Sequence, residues 1–506
     1  MFSEQDRDAA DENRAAKRRR VIAEQHEGSS YMSIAFTPEE IAAEERKPKR
    51  KVAVLVGYAG TGYHGLQINH SEKTIEGDLF SAFVKAGAIA KTNADDPKKS
   101  SLVRCARTDK GVHAAGNVLS LKLIIEDDSV VDKINEHLPE QIRVWSIQRT
   151  QNSFSAYQAV DSRWYEYLMP SYSLLPPHPD SFLGKKMVEL GTEKGTLQEY
   201  MGRLDDVNGF WEEVIKKDIQ PILDALDPDL RKEVLKVMYM AEDQGLDQAG
   251  VPVPTEIETS QPIDAAEVEK AGGGQAIEAD PAVDALDASI PTDHLALGAE
   301  AEEPKSTAED TEVVSLPYVP TPVEKAVKEL KAAYVAAKRR YRVTPARLEK
   351  LQAALNAYTG THNFHNFTVE KKFNDPSAKR NIFSFVLNPQ PIPIRDTEWL
   401  SLKVHGQSFM MHQIRKMVGM AVMVSRCGAP VDLISQSYGS RRISIPKAPG
   451  LGLMLERPVF NAYNKKLAAQ SDRELIDFAK YEEKIQEFKD REIYGRMFEA
   501  EEKENA

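Results

Sequence analysis

Cysteine is nearly missing from this 506-residue chain: only Cys105 and Cys427 occur, and their spacing matches no metal-ligand pattern. A disulfide scaffold and a zinc ribbon are therefore excluded, and a reducing compartment fits. No apolar run reaches the ~18 residues that a membrane-spanning helix requires, so no membrane partner is expected. The opening "MFSEQDRDAADENR" has neither the apolar core of a secretory signal nor the Arg-rich, acid-poor character of a transit peptide. Aromatic residues are absent from Met240 to Pro317, where Gly, Ala, Pro and acids dominate. Such a stretch buries too little apolar area to offset chain entropy, so disorder is expected there. The same stretch distorts the charge balance. Ala241 to Val313 holds 19 Asp and Glu against two Lys, a local charge of -17, so the overall -12 leaves -12 + 17 = +5 for the remainder. The part able to fold is mildly basic, which permits a polyanionic partner such as nucleic acid.

What is present divides into five stretches. Residues 1–48 read as a charge-dense tail with two basic clusters, "KRRR" at Lys17–Arg20 and "KPKRK" at Lys47–Lys51. These suit a nuclear localisation signal, an arm for a phosphate backbone or a solvated tail, and together they favour the nucleus. Residues 49–183 form a first globular part. Val52, Val54 and Val56 alternate as in a strand with one buried face, and a Gly/Tyr-rich loop follows from Gly57 to Gly65. Ile75, Leu79, Phe83 and Ala86 then recur at helical spacing behind a Thr74 cap. "DKINEHLPEQIRVWSIQRT" reads as helix to strand and "SRWYEYLMP" as a further strand. This is an α+β meander without a regular βαβ period or a dinucleotide fingerprint. Residues 184–324 read as an insert, partly helical and then acidic and disordered. A long Ala/Lys helix pattern opens the second globular part, 325–463. A charged helix at 464–506 places Leu475, Phe478, Tyr481, Ile485 and Phe488 on one face to dock on the body.

Three segments concentrate chemistry. In "RCARTDKGVHAAGNVLSL" Asp109 stands between Arg107 and Lys110, cations that favour its ionised form. Gly111 lets the chain turn into a strand whose Val118, Leu119, Leu121 and Leu123 look buried. A carboxylate at a strand mouth suits a nucleophile or general base, and Asp-Lys-Gly is equally a plain turn. "GTHNFHNFT" (Gly360–Thr368) interleaves His362 and His365 with Phe364 and Phe367; it reads as loop support or a base-contacting segment rather than a metal site, because acidic or thiol partners are lacking nearby. "GQSFMMHQIRKMVGMAVMV" reads as a turn entering a helix, with Phe409, His412, Ile414 and Val418 toward the core. Arg415 in this apolar helix needs an anionic partner, either a structural carboxylate or Asp109.

Taken in order, "VGYAGTGYHGLQ", "TIEGDLFSAF", "ARTDKGVHA", "SRWYEYLMP", "GTHNFHNFT", "GQSFMMHQIRKMVGMA" and "PKAPGLGLMLERPVF" resemble the TruA family of RNA pseudouridine synthases. The last two resemble its eukaryotic synthase 1 branch. The resemblance spans residues 51–175 and 355–460, and the acidic insert and tails lie outside it. It implies an α+β fold of two α/β sandwich halves, with antiparallel sheets joined centrally around a basic cleft. It implies Asp109 as the catalytic nucleophile toward a target uridine, at base C6 or ribose C1′. Tyr165 would stack on the flipped base and assist proton removal, with Tyr167 as its core-facing neighbour, and Arg415 would pair with Asp109. Arg107 would hold the uridine out of the RNA stack, and Lys110, His113, His365 and Phe367 would contact substrate. Lys371, Lys372, Lys379 and Arg380 are further candidates for phosphate contacts. The reaction is an isomerisation, so no redox cofactor, ATP or metal is chemically required. The implied partner is tRNA, with snRNA and mRNA as further structured RNAs, and the implied state is a nuclear monomer, a mitochondrial location being the lesser alternative. Two other functions compete: a tRNA-binding or folding protein without catalysis, and a metal hydrolase on His362, His365 and His412.

Overall fold

The computed structural model describes residues 36–69, 71–243, 320–468 and 473–504. The tail before residue 36 and the acidic stretch from 244 to 319 lie outside the described residues, as do the expectations placed on them. The chain divides into two units, residues 1–227 with 328–506, and residues 228–327.

Among the described residues of the first unit, ten strands form one mixed sheet. They are β1 (Arg50–Tyr58), β2 (Val103–Arg104), β3 (His113–Leu123), β4 (Ile142–Arg149), β5 (Ser162–Pro170), β6 (Gly360–Asn363), β7 (Lys379–Leu387), β8 (Ile392–Ile394), β9 (Thr397–Gly406) and β10 (Leu453–Val459). The order is β4-β1-β3-β10-β5-β9-β7-β6, with β2 on β3 and β8 on β9. Every pairing is antiparallel except β10 with β3, where Met454 faces His113. Strand β10 comes late in the chain, yet it lies between β3 and β5 and pairs Leu453 with Tyr167. One insertion thus welds strands of early and late sequence into a continuous surface.

Local sequence accounts for the elements on one face. Thr74 Oγ1 accepts the Gly77 amide at 3.3 Å and starts helix α1, Ile75–Lys85, whose Ile75, Leu79 and Phe83 enter the main core. Helix α2 (Val130–Glu136) packs beside it. The long Ala/Lys pattern is two helices, α3 (Pro322–Arg340) and α4 (Pro345–Asn356): α3 stops at Arg340, and Pro345 takes the first position of α4, where Thr344 Oγ1 caps the Arg347 amide. Helix α5 (Gln413–Arg426) packs on α4 and buries Ile414, Met417, Val418 and Ala421.

The other face is covered from the C-terminus by α6 (Glu482–Phe488) and α7 (Gly495–Glu504). Phe478, Phe488, Ile493 and Met497 are buried there against Leu55, Val118, Leu168 and Met454. Each such side chain removed from water contributes about 1.5–3 kcal/mol. This is why β1 is buried on both faces, Ala53 and Leu55 as well as the valines. The expected docking face holds for Phe478 and Phe488; Leu475 is exposed, because helix α6 begins only at Glu482.

Candidate active site

Asp109 lies in the loop between β2 and β3, and the loop is braced on every side. Buried Thr108 places its Oγ1 3.0 Å from the Tyr58 hydroxyl. Asn117 on β3 donates from Nδ2 to the Tyr58 oxygen and to the Ala106 carbonyl, each at 3.1 Å. Arg104 forks onto buried Glu76 at 2.5 and 2.9 Å, fixing the entry to the loop on α1. The Asp109 carbonyl accepts the Val112 amide at 3.1 Å, and Gly111 closes the turn at φ +75, as the Asp-Lys-Gly pattern predicts.

Gly65 supports the loop from below. Its φ is +95, and a Cβ there would sit 2.8 Å from the Thr108 carbonyl, which accepts the Leu66 amide at 3.1 Å. Gly65→Ala combines backbone strain of about 1–3 kcal/mol with a push on the residue preceding Asp109. The expected outcome is a lower Tm in a thermal melt and a lower kcat. An unchanged kcat would mean that the loop does not transmit the shift.

The partner of the carboxylate differs from the expected one. Asp109 Oδ2 accepts from His412 Nδ1 at 2.9 Å, and among the described residues no ion pair joins Asp109 to Arg415. Arg415 Nε donates instead to the Ala448 carbonyl at 2.7 Å, and the Ala448 amide returns a bond to the Arg415 carbonyl at 3.1 Å. Its terminal nitrogens have no hydrogen-bond partner among the described residues. The cause is local: His412 adopts φ +60 and precedes the first helical residue, so its ring leaves the helical track and reaches the loop. Helical periodicity run back through residue 412 assigned that ring to the core; the signal that finds it is a polar ring at the turn before a helix.

Burial pushes the His412 imidazole below its usual value; Asp109 opposes this, and Lys447 and Arg415 reinforce it. The ring is therefore neutral at pH 7 and donates its Nδ1 proton to the carboxylate. NMR of the imidazole should show His412 titrating below ~6.5, and lower still in Asp109→Asn, since the carboxylate is what favours the charged ring. A rise in that variant would disprove the contact.

Tyr165 lies on β5 facing the main core, with its ring edge-on to Phe409 at 5.3 Å. Burial pushes its phenol up to about 12; Arg163 opposes, and Cys105 and Asp109 add to the rise. The phenol is thus neutral and within electrostatic reach of Asp109. Tyr167, two residues on, donates its hydroxyl to the Pro449 carbonyl at 3.0 Å, which fits a core-facing neighbour. Arg107 and Lys110 are exposed on either side of the half-buried Asp109.

Three residues expected to touch substrate stand elsewhere. His113 is wholly buried where β10 meets β3, accepts the Gly60 amide at 3.1 Å, and is pushed down to about 4 by burial. Phe367 is wholly buried and His365 nearly so, which leaves both without a surface to offer. Their segment is scaffolding: Asn366 donates to the Ser437 and Arg441 carbonyls at 2.9 Å, and Thr368 Oγ1 donates to the Met411 carbonyl at 2.9 Å, beside His412. Direct contact is thereby replaced by support of the turn that carries His412. Among the described residues no His, Cys, Asp or Glu cluster is arranged to hold a metal ion, so the hydrolase reading gains nothing. Of the phosphate candidates, Lys371 is tied to Asp375 at 2.8 Å, Lys372 and Lys379 are exposed, and Arg380 is half-buried.

The loop, the tyrosine strand and the His412–Arg415 helix come from three distant stretches of sequence, and all three lie within the regions similar to known proteins. A family profile described as tRNA pseudouridine synthase matches residues 354–461. Over 492 residues the chain is 41% identical to tRNA pseudouridine synthase 1 of Yarrowia lipolytica, covering 97% of this chain and 78% of that protein. The chain belongs to the tRNA pseudouridine synthase family. It is 43% identical over 444 residues to tRNA pseudouridine synthase 1 of Saccharomyces cerevisiae, covering 87% of the chain and 67% of the relative. It is 33% identical over 415 residues to the tRNA pseudouridine(27/28) synthase of the same yeast, covering 82% and 85%. Within the family the similarity thus leans toward the synthase 1 branch, where "GQSFMMHQIRKMVG" pointed. No helix of the described residues is long and apolar enough to cross a membrane.

Proposed function

We propose that this chain isomerises uridine to pseudouridine in tRNA, with Asp109 as the nucleophile. The carrying observation is the Asp109 carboxylate itself: fixed in a loop braced by Tyr58, Thr108 and Asn117, half exposed, and flanked by free-standing Arg107 and Lys110. In the reaction Asp109 attacks the target uridine, the glycosidic C1′–N1 bond breaks, the uracil turns and a C5–C1′ bond forms; the C5 proton is lost, N1 takes up a proton, and the bond to Asp109 breaks to restore the free carboxylate. Atoms balance without oxidant or reductant. A stacked base cannot be reached, so the uridine must leave the helix, and Arg107 is placed to occupy the gap. Tyr165 offers a ring for the flipped base. Its phenol, held neutral by burial, favours stacking over free-phenolate chemistry. His412 keeps Asp109 aimed through a neutral donor, which leaves the unpartnered terminal nitrogens of Arg415 available to the substrate.

The finer architecture follows from the same reading. We regard the sheet as two α/β sandwich halves meeting at β10, with a basic cleft over Asp109 to which Arg107, Lys110 and Lys447 contribute. The globular halves correspond to 49–183 and 325–463, with the insert between them. The substrate is read as tRNA, and snRNA or mRNA with similar stems are proposed as further substrates. The protein is read as a monomer and, from Lys17–Arg20 with Lys47–Lys51, as nuclear. In the fold Arg50 and Lys51 already belong to β1, so Lys17–Arg20 should carry most of the import; a fluorescent fusion with those four residues changed to Ala should lose nuclear enrichment.

The test is release of tritium from tRNA labelled at uridine C5, followed by nucleoside analysis for pseudouridine. Release in step with pseudouridine supports the reading. Tight tRNA binding with no release supports the folding-protein alternative.

A further inference from the structure

A cavity of about 360 Å³ lies away from Asp109, between the C-terminal half of α5, the end of β5 and the segment Pro446–Gly452. Its wall is mainly apolar: Leu175, Trp211, Trp399, Val422, Met423 and Met497 line it. Its volume falls within the ~300–1,000 Å³ of small-molecule sites, and a few placed polar groups in an apolar wall are what such sites show. The polar groups include Tyr167, Tyr172 and Ser173 and three cations, of which Lys447 is exposed. Lys338 on α3 and Arg426 in the last turn of α5 both line the cavity, and neither side chain has a hydrogen bond or ion pair among the described residues. Arg426 Nε is buried without a partner. The one carboxylate in the lining, Glu501, is already engaged by Arg339 at 3.6 Å and by the Tyr172 hydroxyl. Two half-buried positive charges therefore face an apolar space with no anion to answer them. Burial pushes the Lys338 ammonium down, and Arg426 adds to the effect, so the pair carries an unfavourable charge that an anion would relieve.

We propose that this cavity binds a small amphipathic anion, its carboxylate or phosphate between Lys338 and Arg426 and its apolar body between Trp211, Trp399 and Met423. Asp109 is not in the lining of the cavity, but Lys447, whose charge acts on His412, is, so the two sites share a wall. Pro446–Gly452 lines the cavity, and the same segment receives Arg415 Nε at the Ala448 carbonyl and the Tyr167 hydroxyl at the Pro449 carbonyl. An occupant therefore rests on the backbone that holds Arg415.

The test uses the full chain with 1-anilinonaphthalene-8-sulfonate as probe, read by energy transfer from Trp211 and Trp399. Saturable 1:1 binding is expected. Octanoate and octyl phosphate should displace the probe, and which does so better identifies the head group; 1-octanol and inorganic phosphate should each be at least tenfold weaker. Lys338→Met combined with Arg426→Met should weaken probe binding at least tenfold, and Val422→Trp, which fills the cavity, should abolish it. A thermal melt of each variant separates loss of the site from loss of the fold. Equal competition by 1-octanol, equal competition by inorganic phosphate, or unchanged affinity in a folded double variant would overturn the proposal. The readout is binding, so it stands or falls apart from the pseudouridine reaction.

Discussion

Asp109→Asn should abolish tritium release from C5-labelled tRNA while tRNA binding persists. The substitution keeps the shape of the side chain, and its Oδ1 still accepts the His412 Nδ1 proton that the native carboxylate accepts at 2.9 Å. The loop hydrogen bonds from Tyr58, Asn117 and Leu66 do not involve the carboxylate and stay in place. Only the negative charge and the nucleophile disappear. Loss of a covalent nucleophile costs on the order of 10⁴-fold or more in kcat, because no neighbouring group takes over its electron pair. Arg107 and Lys110 keep their exposure, so binding and its steep salt dependence should remain near wild type. Release at the native rate from a folded Asp109→Asn protein would remove Asp109 from the mechanism.

Asp206→Ala should produce the largest loss of stability. Arg347 on α4 is wholly buried, donates to both Asp206 oxygens at 2.9 and 3.0 Å, and also reaches the Ser425 carbonyl at the end of α5. Lys350 and Thr344 Oγ1 complete the ring around Asp206 at 2.6 and 3.0 Å. Removing the carboxylate leaves a guanidinium without its counter-charge in the interior, a loss of about 3–5 kcal/mol. Asp206→Ala with Arg347→Met should recover part of that loss, since no buried charge is then left unpaired. Burial alone would raise the Asp206 carboxyl, but Lys350, Arg347 and Thr344 outweigh it and hold it below its usual value. A depressed folded value stabilises above the unfolded ~3.9 and ceases to do so as pH falls through the folded value. Wild-type stability should therefore fall on acidification below pH ~4, with a smaller share of that fall in Asp206→Ala. Denaturant titrations at pH 7 and pH 3 measure both effects. An unchanged midpoint at pH 7 would show that the network contributes nothing.

Much of the site was legible in short-range pattern. The Asp-Lys-Gly turn before an apolar strand, the Thr74 cap, the Tyr165 strand and the Arg415 helix all occur where spacing placed them. The break at Thr344–Pro345 was equally legible, as a proline behind a capping threonine, and the Ala/Lys periodicity obscured it. Other features were not readable. The alternation of Val52, Val54 and Val56 describes one buried face, and the second face is buried only because α6 and α7 return from the far end of the chain. His113, His365 and Phe367 look the same in sequence whether they face a ligand or a core. The docking of β10 on β3, and of Asn366 under the Ser437–Ile443 segment, decides between the two.

Sequence alone determined which groups are available, a carboxylate in a glycine turn, a tyrosine on a strand and a cation on a helix, because turns, caps and side-chain periods depend on neighbours a few residues apart. It also determined the family, since those motifs recur in one order. Tertiary structure decided which group meets which. Asp109 and His412 stand 303 positions apart, and their contact follows from a left-handed residue at the start of α5 and from β10 entering between β3 and β5. No local preference encodes that meeting, because it is set by how distant strands share one sheet.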